Sequence, residues 1–376
     1  MLCPIDRRIE KIRKKINEKG IDVLILTNVS KISYVSKTHH SGWNSGNCVF
    51  IWAEGDPTLL TRVTERPRLI FEENSVIKDV QYWNLPLQNL KPISWGEKCI
   101  EILKNRGVEK GIIAVEESGI SWLFYTKLKE ELSKANFIDG EELINNVMRA
   151  HDEEELSLMQ RASAMTDAAL EAVIEAAQVG VTETQLAGIA EKTMRDLGCE
   201  DFFSPTQVNF DNRVYGDHVP TERILQRGNK IQLDSHPVYK FYRGDYFREM
   251  ILGKPNKEYK RAAEVCTKAA HNMIKSLVPG ASTKEIALAF YDEIKSAGYT
   301  NKAQREIGHG IGTTHLPPLI CCGLDWKLME NEVISISPYI NELGNFTFLM
   351  EFCVKVAKGG GVPLNTYPLG LIVIDK

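Results

Sequence analysis

Three acidic residues and two histidines in the second half of the chain are of the right type and spacing to do chemistry. Glu351 lies in Phe346-Thr347-Phe348-Leu349-Met350-Glu351-Phe352-Cys353-Val354, an apolar run that reads as a strand. A carboxylate set in such a run is costly unless it is paired or bound to a metal. Glu351 is therefore the strongest single-residue sign of function, with a buried structural hydrogen bond as the plainer alternative. Asp234 ends Ile231-Gln232-Leu233-Asp234, which reads as another strand, and Asp245 follows 11 residues later in Tyr242-Arg243-Gly244-Asp245-Tyr246-Phe247-Arg248. Two strands joined by a short turn bring such carboxylates side by side, although two aspartates taken alone are more often turn and surface residues. His309 sits in Gly308-His309-Gly310-Ile311-Gly312, with His315 six residues on, before Pro317-Pro318. The flanking glycines leave the imidazole unobstructed and allow an unusual backbone path. Oxygen and imidazole ligands together suit Mn, Fe, Co or Zn.

These residues need a scaffold, and the sequence predicts one from Glu154 onward. Leu156, Met159, Ser163, Thr166, Leu170, Val173 and Ala177 recur at three or four residues, the period of a helix. Gly180 stops it. Thr182-Glu183-Thr184-Gln185 reads as a capping box opening a second helix, which Gly198 closes. The same pattern returns 100 residues later. Met159/Tyr259, Arg161/Arg261, Gly180/Gly280, Thr182/Ser282, Leu186/Ile286 and Gly198/Gly298 align, and Ser282-Thr283-Lys284-Glu285 reads as a second capping box. An offset held through two helices, their caps and their stops predicts an internal duplication of two α+β halves with a cleft between them.

Upstream the pattern is α/β. A helix over residues 7–19 precedes an apolar strand at Val23–Leu26, and Val49–Trp52 and Thr58–Thr61 flank the turn Glu54-Gly55-Asp56-Pro57. Ile112–Val115 reads as a further strand. No phosphate-binding glycine loop and no complete catalytic set occur here. His39-His40-Ser41-Gly42-Trp43-Asn44-Ser45-Gly46 reads as a solvated hairpin loop. The acidic run Asp152–Glu155 reads as a helix N-terminus at the junction of two domains, 1–147 and 148–376.

Composition narrows the function classes. With 376 residues, 43% of them hydrophobic, the chain has ample core for two domains. A formal net charge of -4 from 46 basic and 50 acidic residues gives no electrostatic case for nucleic acid. No apolar run reaches the length of a membrane span, and the first residues lack the apolar core of a secretory signal. The eight cysteines form no Cys-x-x-Cys pair and read as thiols of a reducing cytoplasm.

The order Asp234, Asp245, His309, Glu351 inside a duplicated α+β domain resembles the pita-bread enzymes of the creatinase/aminopeptidase P/prolidase family. The two aspartates flank a hairpin, Gly308–Gly312 matches the family's glycine–histidine signature, and Glu351 matches its closing glutamate. The family's glutamate before proline falls on Ser337-Pro338. His218-Val219-Pro220-Thr221 resembles the stretch that carries a substrate-side histidine. The resemblance implies an N-terminal creatinase-type α/β domain followed by a pita-bread domain whose halves are related by a pseudo-two-fold axis. It implies metal ligands at Asp234, Asp245, His309 and Glu351, and catalytic roles for His218, His309, His315 and Glu351. Substrate contacts are expected at His236, Arg248 and Ser337.

Ser337 replaces one ligand carboxylate by a neutral hydroxyl, so one divalent ion, or none, is expected in place of a full two-metal site. The function expected is hydrolysis of a C–N bond in a small peptide or amide, Xaa-Pro peptidase-like with a reduced metal site. Two alternatives are a metal-independent hydrolase resembling creatinase or ectoine hydrolase, and a non-catalytic binding protein on the same fold. The partners expected are a small-molecule or short-peptide substrate and a second copy of the chain in a cytoplasmic homodimer, with neither nucleic acid nor membrane.

Overall fold

The computed structural model describes residues 4–38, 46–65, 75–84, 93–211, 219–300, 305–342 and 346–376. The chain divides into two units, Met1–Met148 and Arg149–Lys376. In the first, the elements run α1 (Pro4–Glu18), β1 (Val23–Leu26), α2 (Val29–Ser36), β2 (Cys48–Trp52), β3 (Thr58–Arg62), β4 (Asp79–Trp83), α3 (Trp95–Asn105), β5 (Ile112–Val115), α4 (Trp122–Glu131), β6 (Asn136–Asp139) and α5 (Glu141–Met148). The strands form one sheet in the order β4-β3-β2-β1-β5-β6, antiparallel across β1–β2–β3 and parallel elsewhere. All four side chains of β1 are buried, which is what an unbroken apolar run signals. Residues 39–45 of the polar loop lie outside the described residues.

The second unit starts with α6 (Glu153–Ala176) and α7 (Glu183–Asp196). It continues with β7 (Asp201–Phe202), β8 (Gln207–Phe210), β9 (Lys230–Ser235), β10 (Pro237–Tyr239), β11 (Tyr242–Arg243) and β12 (Tyr246–Leu252). The helices α8 (Lys257–Ser276) and α9 (Thr283–Ser296) follow. Then come β13 (Gly308–Ile311), β14 (His315–Leu319), β15 (Val333–Ile336), β16 (Tyr339–Glu342), β17 (Phe346–Leu349), β18 (Phe352–Lys355), β19 (Val362–Pro363) and β20 (Ile372–Ile374). One sheet runs β20-β12-β9-β8 and another β14-β13-β15-β18-β19. A shared core of buried residues from all four helices and both sheets, including Met165, Leu186, Phe210, Leu233, Tyr259, Phe290, Ile336 and Phe352, lies beneath them.

The two halves repeat down to individual hydrogen bonds. Gly180 N donates to Leu225 O and Gly280 N to Leu328 O, at 3.1 and 2.8 Å. Leu225 N returns to Val181 O as Leu328 N does to Ala281 O. The Arg161 guanidinium bonds the carbonyl of Leu197, and that of Arg261 the carbonyl of Ala297, each at a helix end. Thr182 and Gln185 form the reciprocal capping box. At α9 only half of one forms. Ser282 Oγ accepts from Glu285 N, but its hydroxyl proton goes to Asp325.

β12 is buried along its whole length, charges included. Glu249 accepts from Gln232 and from the Tyr259 hydroxyl, and lies 3.7 Å from Lys230 Nζ. The lysine also donates to Thr347 O at 2.9 Å. Removing one partner of a buried pair costs about 3–5 kcal/mol, because the other charge is left uncompensated. Glu249→Ala should lose about that much unfolding free energy, whereas Glu249→Gln, which keeps the hydrogen-bonding shape, should lose less. Chemical denaturation of the purified variants checks the order.

Candidate active site

Asp234 and Asp245 reach the site from the hairpin around β9 and β12, where Phe247 pairs with Asp234 across the ladder. On its other side Phe247 exchanges backbone hydrogen bonds with Glu351 at 3.0 and 2.8 Å. The apolar run of residues 346–354 is therefore not one strand. It breaks at Met350-Glu351, between β17 in one sheet and β18 in another. The break lets Glu351 bond Phe247 of the first half.

His309 is held on β13 by pairing with Ser335 of β15. The glycines around it serve close approach more than backbone freedom. A Cβ at Gly310 would stand 2.3 Å from Pro317 O, one at Gly308 2.9 Å from Ser335 O, and one at Gly312 2.9 Å from the His151 ring. The ladder is also irregular between His309 and Gly310.

These elements bring His309 Nε2 within 3.4 Å of Asp245 Oδ2 and 3.6 Å of Glu351 Oε1. His236 Nε2 stands 3.0 Å from Asp234 Oδ1 and 3.7 Å from Asp245 Oδ1. His315 Nε2 is 3.8 Å from Asp245 Oδ2, and its ring centroid is 4.4 Å from that of His309. Two overlapping triads of metal-ligating groups result, Asp234–His236–Asp245 and Asp245–His309–His315.

Burial and crowding govern the charges. Burial, then the neighbouring Glu351, pushes the Asp245 carboxyl up to about 7, against the pull of His309 and His236. Burial opposes ionisation of Glu351 too, but its hydrogen bond to His309 prevails and keeps it below the usual range. Burial likewise works against charge on His309 and His236. Glu351 and Asp245 overcome it for the first, Asp234 and Asp245 for the second, and both rise to about 9. His315 moves the other way, held neutral by burial and by the positive charge of His309 and Arg243. A cluster of three carboxylates and three imidazoles, buried at His236, Asp245 and Glu351 and exposed at His315, matches the donor chemistry of a divalent cation.

The cleft over this cluster has a volume of about 870 Å³, and Ser337 lines it together with the acids and histidines. His218 lies outside the described residues. Arg248 corrects the expectation that it meets substrate. It is 0% exposed, and its guanidinium bonds the Tyr246 hydroxyl and the carbonyls of Pro368 and Gly370.

Residues not singled out in the sequence also line the cleft, among them Phe203, Arg243, Arg305 and Trp326. Arg243 had a readable signal, since it precedes Asp245 by two residues, the spacing for a shared face. Phe203 had none. Its ring packs against His236, His315 and Arg243, which come from separate segments.

Gly310→Ala should be destabilising by about 1–3 kcal/mol or more, the usual cost of overpacking, because the new methyl meets a backbone carbonyl that cannot rotate away. It should also displace His309. Thermal melting, with a histidine proton resonance for His309 followed by NMR, checks both parts.

The comparisons with known proteins agree with this geometry. The model of metallopeptidase family M24 matches residues 157–362, and that of the creatinase/prolidase N-terminal domain matches residues 8–151. A Xaa-Pro dipeptidase of Pyrococcus furiosus is 27% identical over 95% of this chain and 97% of its own length. One from Pyrococcus horikoshii is 24% identical over 96% and 97%. The crystal structure of a recombinant prolidase from Thermococcus sibiricus superposes with a TM-score of 0.87 at 20% identity, covering 99% of this chain and all (100%) of the other. With the M24 model spanning more than half of the chain and the acids and histidines gathered in one cleft, the chain belongs to metallopeptidase family M24, behind a creatinase/prolidase N-terminal domain.

Proposed function

We propose that the cleft hydrolyses a C–N bond in a small peptide, with Xaa-Pro dipeptides as the substrate class, around a single divalent cation. The meeting of Asp245 and Glu351 with His309 Nε2, at 3.4 and 3.6 Å, carries this reading. Atoms that share one ion at about 2.1 Å lie roughly 3.0–3.5 Å apart, so the separations suit a common cation. These oxygen and imidazole donors suit Mn, Co, Fe or Zn, and Asp234 adjoins them through its triad with His236 and Asp245. When bound, such an ion supplies a nucleophile at neutral pH and polarises a carbonyl. Two features favour one ion over two. Ser337 offers a neutral hydroxyl where a carboxylate would add charge, and the His236 ring stands between Asp234 and Asp245.

The protein's own groups then divide the work. Glu351 would accept the proton of the attacking water at the carboxylate oxygen that the cation leaves free. His315, kept neutral, donates a ring N–H to the developing oxyanion. Leu316, Pro317, Leu319, Leu324 and Trp326 provide an apolar wall for a pyrrolidine ring. The relatives named Xaa-Pro dipeptidases support the substrate class. In the same reading the chain works as a cytoplasmic homodimer on short peptides.

A metal-independent reading draws on one observation: His236 and His309 already set positive charge against the three carboxylates. His309 would then move the proton, and the carboxylates would bind a cationic substrate.

Protein purified without chelator should carry one divalent ion per chain and cleave Xaa-Pro dipeptides, with activity lost to chelator and regained on adding metal. Ser337→Glu should raise metal affinity by at least the roughly 10–100-fold that outer-shell partners of metal sites are worth. Metal titration with melting temperature followed throughout decides between the readings. A Ser337→Glu variant that gains no affinity and melts lower has buried an unmatched charge, and the metal-independent reading then holds.

A further inference from the structure

Arg243 is distinguished by what its side chain lacks. Other arginines of the second unit have partners: Arg149 pairs with Glu332, Arg223 with Asp211, and Arg161, Arg195, Arg248 and Arg261 bond backbone carbonyls. Among the described residues, no carboxylate lies within ion-pair distance of the Arg243 guanidinium and no acceptor receives a hydrogen bond from it. Its backbone is fixed from two sides, by the pairing of Arg243 with Val238 and by a 3.0 Å bond from its N–H to Gly312 O. The guanidinium lies 4.4 Å from the centroid of the Phe203 ring, on the wall of the cleft.

A half-buried guanidinium with no partner among the described residues gains most from a ligand that supplies one. It is not the counter-ion of the acidic cluster either, since His236 and His309 hold the short contacts to those carboxylates. Phe203 holds the planar group in place, so its fork of N–H donors is preorganised. A planar fork facing an open cleft matches one ligand chemistry best, a carboxylate taken by two parallel hydrogen bonds.

We propose that Arg243 is the anion-binding residue of the cleft and that the substrate carries a carboxylate that reaches it. The proposal rests on the cleft being the substrate site. In a short peptide the carboxylate comes from the C-terminus or from an acidic side chain.

Binding of non-hydrolysable fragments to the as-purified protein tests this apart from turnover. L-proline is compared with L-prolinamide, and the α-amide of L-glutamate with L-glutaminamide, by calorimetry on wild type, Arg243→Met and Arg243→Lys. Wild type should prefer the acid of at least one pair by tenfold or more. Arg243→Met should lose that preference, and Arg243→Lys should keep part of it. A preference in the proline pair assigns the C-terminal carboxylate, and one in the glutamate pair assigns a side chain. A wild type that distinguishes neither pair overturns the proposal. So does a folded Arg243→Met that retains the full preference. If Arg243→Met does not fold, a preference undiminished in Arg243→Lys overturns it instead, because a lysine cannot reproduce the fork. Failure of the peptidase reading shows separately, as absence of Xaa-Pro cleavage with the arginine-dependent preference intact.

Discussion

Two backbone hydrogen bonds, exchanged between Phe247 and Glu351, join the halves of the second unit at its chemical centre. Phe247 is paired on its other side with Asp234. One peptide row thus carries an acid from each half, and the turn before β12 adds Asp245. The arrangement forces three carboxylates into a buried space, where like charges raise one another's pKa. Much else in the cleft answers that repulsion. His309 sits against Asp245 and Glu351, His236 against Asp234 and Asp245, and the donor set is shaped for a cation.

The repulsion also explains why the neighbouring backbone is so tightly built. His309 can face the acids only if β13 lies close to β14 and β15, and side chains at 308 or 310 would hold the strands apart. The glycine–histidine segment is thus a packing requirement before it is a catalytic one. His151 closes the arrangement from behind. Its ring bonds Ile311 O at 2.9 Å and packs where a side chain at 312 would stand.

Charge is sorted by depth along the same hairpin. Arg243, at the cleft, has its guanidinium open to ligand, while Arg248, five residues on, is enclosed by backbone carbonyls and two tyrosine rings. Next to it Glu249 is matched to Lys230, Tyr259 and Gln232. One short stretch therefore holds a ligand-facing charge and a structural pair. Burial, rather than residue type, separates them.

The sequence alone determined the helices, their N-cap residues and the duplication, because periodicity, capping chemistry and glycine stops are local rules that a chain obeys wherever it sits. It also pointed to Glu351, since an acid in an apolar run is costly without a partner, while Asp234, Asp245 and His309 stood out through an order that resembles the pita-bread enzymes. The serine before Pro338 was legible only through that resemblance, which places a glutamate there. Only the tertiary structure decided the rest. The enclosure of Arg248 was not readable, since the carbonyls of Pro368 and Gly370 that claim it lie over 100 residues away. Phe203 became part of the site because Arg243, His236 and His315 meet on its ring from different segments. The proton that Ser282 gives to Asp325 depended on a loop folding back on α9. In each case the partner is distant along the chain, and local pattern carries no record of which groups burial will bring together.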